Sequence, residues 1–427
     1  MWDAQTLCAV RRGVEPLVAL QQLGSALFDT ALQMVVKDRC SGGGELNSTM
    51  DSRQKAMSDF YMTYNLLAKL TPIVPAIILA KMGDRGWRKV PIFTPLVGYM
   101  ASRLILLLVI VLGLPIQAMW LGVTLQGLSG GFCSIWAAVM TIVSLRSAEH
   151  QRSVMMMRVE LLYGLAGLLG SLASGHLFQL YGSSLGQGTV LVGVSLLLYA
   201  LCLLYAVFLL ETSEGGAEVE AAAGGGGIRG NMVNIVLLFA GGVLYDVAVA
   251  GAGEILVSFQ MKEPLNWNAK QVGYGNASGF LIFLTSFLGV MVMSRWVSDV
   301  TLIIIGMLSF ASGIYFMAFV TETYMFYLAR ALMLFALIPT PTMRSILSQQ
   351  VTGSSYGIVL ISFQLSFKVA SLAYTPTYTL IYQHTLDWLP GCVFLLSSFI
   401  TVLGTIPISI VGCRLQLKPA NRRIEAG

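Results

Sequence analysis

Charge is scarce in this chain. Only 11% of its 427 residues are Asp, Glu, Lys or Arg, whereas a soluble domain carries about a quarter. So few charges cannot coat a water-exposed surface. With 56% hydrophobic residues and a mean hydropathy of +0.75, most of the chain must face lipid or other helices. Histidine is almost missing: His150, His176 and His384 lie far apart. The six cysteines (Cys8, Cys40, Cys133, Cys202, Cys392 and Cys413) fit no metal-ligand spacing, so no metal is expected. Ser-His-Asp, HExxH and phosphate-loop patterns are absent, and nothing calls for an enzyme or an organic cofactor. No basic run has interleaved aromatics, which argues against a nucleic-acid polymer as partner. A cleavable signal peptide is not expected either. Arg11 and Arg12 precede a segment too long and too polar for its hydrophobic region, so the first helix should act as a signal anchor.

What is present is apolar sequence in blocks of membrane-spanning length, each needing roughly 20 residues. Breaks at Pro, Gly and charge clusters place spans near 15–36, 58–82, 90–113, 117–145, 153–178 and 187–210. A second set follows near 231–259, 271–294, 300–320, 323–350, 355–381 and 388–413. Between the sets lies a polar, Gly-rich stretch, 211–230, close to the middle of the chain. The segments are too long and uniformly apolar for barrel strands, so an all-α membrane protein is expected. Its twelve transmembrane helices would form two six-helix halves, 15–210 and 231–413, joined by a flexible cytoplasmic linker. Residues 1–14 and 414–427 would be the cytoplasmic termini. Such a plan describes a transporter with its site between the halves.

Lys and Arg set the orientation. With the N-terminus inside, the outer loops hold only Lys37, Arg39, Arg53, Lys55, Lys262 and Lys270, and fourteen basic residues lie on the cytoplasmic side. The net charge of +5 reflects that asymmetry. Asn47-Ser48-Thr49 is then a glycosylation acceptor on the outer side, whereas Asn276-Ala277-Ser278 falls inside a span and should be silent.

The chemistry must lie in polar residues within the spans. These are Lys69, Arg103, Arg158, Arg330, Arg344 and Lys368, with Asp29, Glu160, Asp246 and Glu254. Facing lipid, these ten charges would cost roughly 25–35 kcal/mol, so they should point into a shared wet interior. Helical spacing agrees: Gln22, Ser25, Asp29 and Gln33 form one stripe, and Asn65, Lys69, Pro72 and Ala76 another. Glu160 heads a stripe of small residues, Gly164, Gly167, Ser171 and Ser174, suited to a close helix neighbour. Gln364, Lys368, Ser371 and Thr375 form a fourth. Arg330 and Arg344 are fourteen residues apart, which in a continuous helix puts them on nearly one face. Pro339 and Pro341 should bend or loosen that helix. Glu160 with Arg344 is the expected gate pair, opposite charges that can part. Arg103 is expected in a fixed structural pair, and Arg158 on a surface or interface.

Gly83-Asp84-Arg85-Gly86-Trp87-Arg88-Lys89 resembles the loop signature between helices two and three of the major facilitator superfamily, with the glycine displaced by one position. The resemblance implies gating roles for Asp84, Arg88 and Lys89, with Asp84 near the start of helix eleven at Gly353-Ser354-Ser355. Further motifs look like the proton-coupled folate transporter family. They include the run from Gly242 through Tyr245 and Asp246, Glu263 through Trp267, Gln271 through Gly275, Glu322 through Arg330, Ile338 through Arg344, and Gly353 through Gly357. The likeness covers nearly the whole chain and is strongest to a member other than the folate carrier.

That resemblance implies a proton-coupled importer of organic anions. Glu160 takes the place of an acid tied to proton coupling, and Arg344 that of an arginine supporting substrate and proton affinity. The folate member's seventh-helix histidine falls at Val249, and its outer disulfide partner at Asn266, leaving Cys40 unpaired. Muropeptide or cyclic dinucleotide cargo is therefore expected ahead of folate or antifolates. Proton coupling is assigned to Glu160 and Asp246. Substrate binding is assigned to Arg344, Arg330, Lys69, Lys368, Asp29, Gln22, Asn65, Tyr245 and Glu254. The expected partners are a small anionic substrate, protons and the bilayer, with the protein a monomer in the plasma membrane or an endosomal membrane. A receptor or scaffold without net flux, and a proton-independent anion exchanger, are the alternatives.

Overall fold

The computed structural model describes residues 13–41, 60–61, 63–148, 151–181, 188–210, 232–261, 265, 267, 269–351, 355–385 and 388–424. Asn47, the 211–230 linker, Asn266 and Gly353-Ser354 lie outside them. In the first half the helices are α1 (Glu15–Ser41), α2 (Ile73–Asp84), α3 (Val90–Leu112), α4 (Ala118–Leu128), α5 (Gly131–Arg146), α6 (Arg152–Tyr181) and α7 (Thr189–Phe208). The second half has α8 (Met232–Met261), α9 (Ala269–Met293), α10 (Asp299–Met317), α11 (Thr323–Leu332), α12 (Pro339–Gln349), α13 (Tyr356–Thr385) and α14 (Cys392–Ile424). A helix or helix pair stands at each of the twelve expected spans, α4 with α5 forming the fourth and α11 with α12 the tenth. No strand occurs among the described residues. Nine of the helical segments there are long and apolar enough to cross a membrane. Large apolar side chains are exposed along them, such as Leu201, Leu204 and Phe208 on α7, as lipid-facing helices require.

Two compact units form. One comprises Met1–Leu145 with Leu162–Val219, the other Arg146–Leu161 with Glu220–Gly427. The opening of α6 thus groups with the second unit and the remainder of that helix with the first.

In the first unit α1 packs along α7, and α3 along α4 and α7. The small-residue stripe of α6 does what its spacing suggested. A side chain at Gly167 would meet Gln22 and one at Gly170 would meet Ala26, while Ser174 Oγ lies 2.7 Å from Thr30 Oγ1. After α2 the chain turns at Gly86, whose φ of 104° is open to glycine alone at little cost, and Trp87 projects outward. The displaced glycine of the signature therefore still makes the turn.

In the second unit α8 packs along α14 and α13, and α10 along α14, α12 and α11. The tenth span is not one helix: α11 stops at Leu332 and α12 begins at Pro339. Pro339 and Pro341 lack the N–H that would bond back one turn, and their rings crowd the preceding carbonyls. Three-residue turns replace the helix, with Ala336 N donating to Met333 O and Ile338 N to Phe335 O. Hydroxyls from three neighbours satisfy the freed backbone. Ser309 Oγ donates to Leu332 O at 2.6 Å, Thr285 Oγ1 to Leu334 O at 2.7 Å, and Tyr245 Oη to Ala336 O. Gly306 lets the break approach closely, since a Cβ there would lie 2.8 Å from Phe335 O. The continuous-helix placement of Arg330 against Arg344 is accordingly corrected.

Candidate functional site

The second unit holds a cluster of charges around Arg344 of α12. Its Nη1 donates to Glu160 Oε1 at 2.6 Å, and its Nη2 to Gln364 Oε1 of α13 at 3.0 Å. The side chains of Arg344 and Glu160 are 8% and 17% exposed, so the pair is largely desolvated without being sealed. A charge-assisted bond this short is strong, and each ion alone would be costly to leave buried. Asp246 of α8 lies within electrostatic reach of Lys368 and Arg344, and Tyr374 of α13 within reach of Asp246 and Glu254. Two acids and two bases, Glu160, Asp246, Arg344 and Lys368, therefore share one neighbourhood in this unit.

Other expected site residues fall elsewhere. Arg330, at the end of α11, carries its guanidinium 5.3 Å from the Phe326 ring, and its Nε is buried without a hydrogen bond. Tyr245 is buried against Phe310, and its hydroxyl serves the broken turn of the tenth span. Glu254 is exposed. In the first unit, Gln22 sits at the Gly167 crossing, Asn65 and Asp29 are exposed, and Lys69 is half-buried. Of the loop signature, Lys89 Nζ donates to Val207 O at 3.1 Å, Arg88 is buried and Asp84 closes α2.

Two arginines are buried against partners that their residue type does not announce. Arg103 does not face a wet interior: it is 1% exposed inside the first unit. Its guanidinium carbon lies 3.9 Å from the Tyr199 ring centroid, 4.4 Å from that of Phe28 and 4.9 Å from that of Tyr99. Its nitrogens donate to Ser195 Oγ, Tyr99 O and Ser25 Oγ. Three π faces and three oxygens, rather than the ion pair its residue type suggested, offset the buried charge. Arg152, counted among the expected cytoplasmic charges, is 5% exposed and donates from Nη1 to Ser348 Oγ at 3.0 Å.

Long lipid-facing helices enclosing paired charges define a multi-pass membrane transporter of the major facilitator superfamily fold. The human organic anion transporter MFSD10 superposes with a TM-score of 0.70, covering 94% of this chain and 100% of that one at 15% identity. No protein-family model matches the chain. Solute carrier family 46 member 2 of Canis lupus familiaris is 41% identical over 94% of this chain and 93% of its own length. The chain belongs to solute carrier family 46. A more distant relative is the Homo sapiens lysosomal proton-coupled steroid conjugate and bile acid symporter SLC46A3, 27% identical over 84% of this chain and 81% of its own.

Proposed function

We propose that the protein imports organic anions together with protons by alternating access. The observation that supports this most is the clasp of Glu160, Arg344 and Gln364, an ion pair that one proton can dissolve. A proton on Glu160 removes the charge that Arg344 holds. The guanidinium is then free to take a carboxylate or phosphate of the cargo, for which its planar donor fork is suited. Asp246 and Lys368 repeat the arrangement at longer range, with Asp246 as a second proton carrier and Lys368 as a second cation for the cargo. Arg330 and Lys69 add positive charge, while Asp29, Gln22, Asn65, Tyr245 and Glu254 complete the candidate contacts. Residues 15–210 and 231–413 would rock as bodies, with Asp84, Arg88 and Lys89 among the gating groups.

Muropeptides and cyclic dinucleotides are the favoured cargo, with folate-like compounds behind them. A relative named for steroid conjugates and bile acids adds amphipathic sterol anions as a second cargo class. The protein is read as a monomer, glycosylated at Asn47, with cytoplasmic termini. Its membrane is the plasma membrane or that of an endosomal compartment.

The test is uptake of labelled muropeptide, cyclic dinucleotide, folate and steroid sulfate into proteoliposomes, from acidic and from neutral outside medium, with and without a protonophore. Concentrative uptake in acid that the protonophore abolishes is the expected result. Trans-stimulated exchange indifferent to pH would replace the symporter with an exchanger, and binding without accumulation would replace it with a receptor.

A further inference from the structure

Arg152 opens α6 two turns before Glu160, and Ser348 lies one turn past Arg344 on α12. The two helix segments therefore meet at two levels. At one stands the Glu160–Arg344 ion pair. At the other, Arg152 Nη1 donates to Ser348 Oγ at 3.0 Å and its guanidinium carbon lies 5.7 Å from the Tyr356 ring centroid of α13. Between them Met157, fully buried, packs with Val290, Leu302 and Ile338. Helix stability does not explain Arg152. A cation at the first residue of a helix opposes the macrodipole, and its Nε is buried without a hydrogen bond. Ordinary surface charge does not explain it either, since the residue is 5% exposed.

We infer that Arg152, with Ser348 and Tyr356, is a second latch that holds the opening of α6 against α12 and α13 and that a proton on Glu160 does not release. This inference rests on the symporter reading given above. The charged groups around the segment are Glu160 and Arg158 on its own helix, Arg344 on α12, Lys368 on α13, Asp246 on α8, and Asp299 at the start of α10 beside Ser153. Glu160 is the only acid among them paired directly with α12. Arg152 meets a hydroxyl and a ring, so its grip persists whichever way the carboxylates titrate. A latch of this kind raises the threshold for opening and keeps the unprotonated carrier shut. It suppresses slippage without contributing to the proton step itself.

The test reads the opening directly. Ser345 is fully buried on α12, and its hydroxyl has no hydrogen-bond partner. Ser345→Cys, with exposed Cys413 replaced by serine, is labelled by an impermeant maleimide on inside-out vesicles at neutral pH, and the label is read at that position by mass spectrometry. Arg152→Gln should accelerate labelling about tenfold, the shift expected for losing a hydrogen bond to a charged group, and Ser348→Ala should do so by a smaller factor. The double variant should be no faster than Arg152→Gln alone, because both changes remove one interaction. Equal rates in all chains, or a double variant whose effect is the product of the singles, would overturn the latch. If Arg152→Gln does not reach the membrane, Arg152→Lys and Ser348→Ala carry the same test. In uptake, Arg152→Gln should lower the ratio of acid to neutral transport, whereas a parallel fall at both would mean simple loss of packing. Labelling needs neither cargo nor gradient. Accelerated labelling with pH-indifferent uptake would therefore sink the symporter and keep the latch, and proton-driven uptake with unchanged labelling the reverse.

Discussion

Arg103 and Arg344 are both buried in membrane-spanning helices, and they are solvated in opposite ways. Arg103 rests among three aromatic rings and three oxygens of the first unit, with no carboxylate within ion-pair distance among the described residues. None of those partners changes charge near neutral pH; Asp29 lies within electrostatic reach but is not among the groups that hold the guanidinium. Arg344 rests on a carboxylate and an amide in the second unit. One proton on Glu160 removes its principal partner. A buried cation held by rings is a fixture, and one held by an acid is a switch.

Replacing each arginine should separate the two kinds. The largest effect is expected for Arg103→Ala, which leaves a cavity and idle oxygens at a cost of about 3–5 kcal/mol. The measurement is the amount of folded protein in the membrane and its thermal midpoint. Protein that does fold should keep the wild-type ratio of acid to neutral uptake, and a changed ratio would make Arg103 a switch too.

Arg344→Ala should cost less folded protein but more transport. Truncating one partner of a buried, hydrogen-bonded charge pair costs binding about 2–5 kcal/mol, so anionic cargo should be taken up at least about thirtyfold less well. Neutral analogues should lose far less, and equal losses for both would point to a folding defect. Gln364→Ala is milder. It removes one hydrogen bond to a charged group, and an affinity about tenfold weaker with accumulation retained is the expected outcome of a concentration series. Smallest of all, Ser309→Ala should destabilise by about 1 kcal/mol, seen as a modest fall in thermal midpoint with coupling unchanged. A lost pH response in that variant would give the broken tenth span a part in the switch.

The spans were legible because burying charge in lipid is expensive, and that penalty writes itself into composition along every helix. Glu160 and Arg344 could be paired from their depth and sign, and Pro339 with Pro341 foretold the break between α11 and α12. Less visible was the company each charge keeps. Tyr99 stands one turn before Arg103 on α3, but Phe28 and Tyr199 read as ordinary apolar residues, and no local spacing brings them to it from α1 and α7. Arg152 counted toward the cytoplasmic charge excess, a statistical rule in which every loop cation is alike. Its bond to Ser348 joins residues 196 positions apart, a separation no local pattern reports. Also hidden was the bond from the Tyr245 hydroxyl to Ala336 O, which completes the backbone of a turn that periodicity alone does not delimit.

Whether a proton on Glu160 parts it from Arg344 is measured most directly by transport through Glu160→Gln in proteoliposomes. The substitution keeps the shape of the side chain and its contact with Arg344 while removing the charge that a proton would neutralise. Labelled muropeptide should still exchange across the membrane but no longer accumulate when an inward proton gradient is imposed. Full accumulation by Glu160→Gln, abolished by a protonophore as in the wild type, would contradict a proton switch at Glu160.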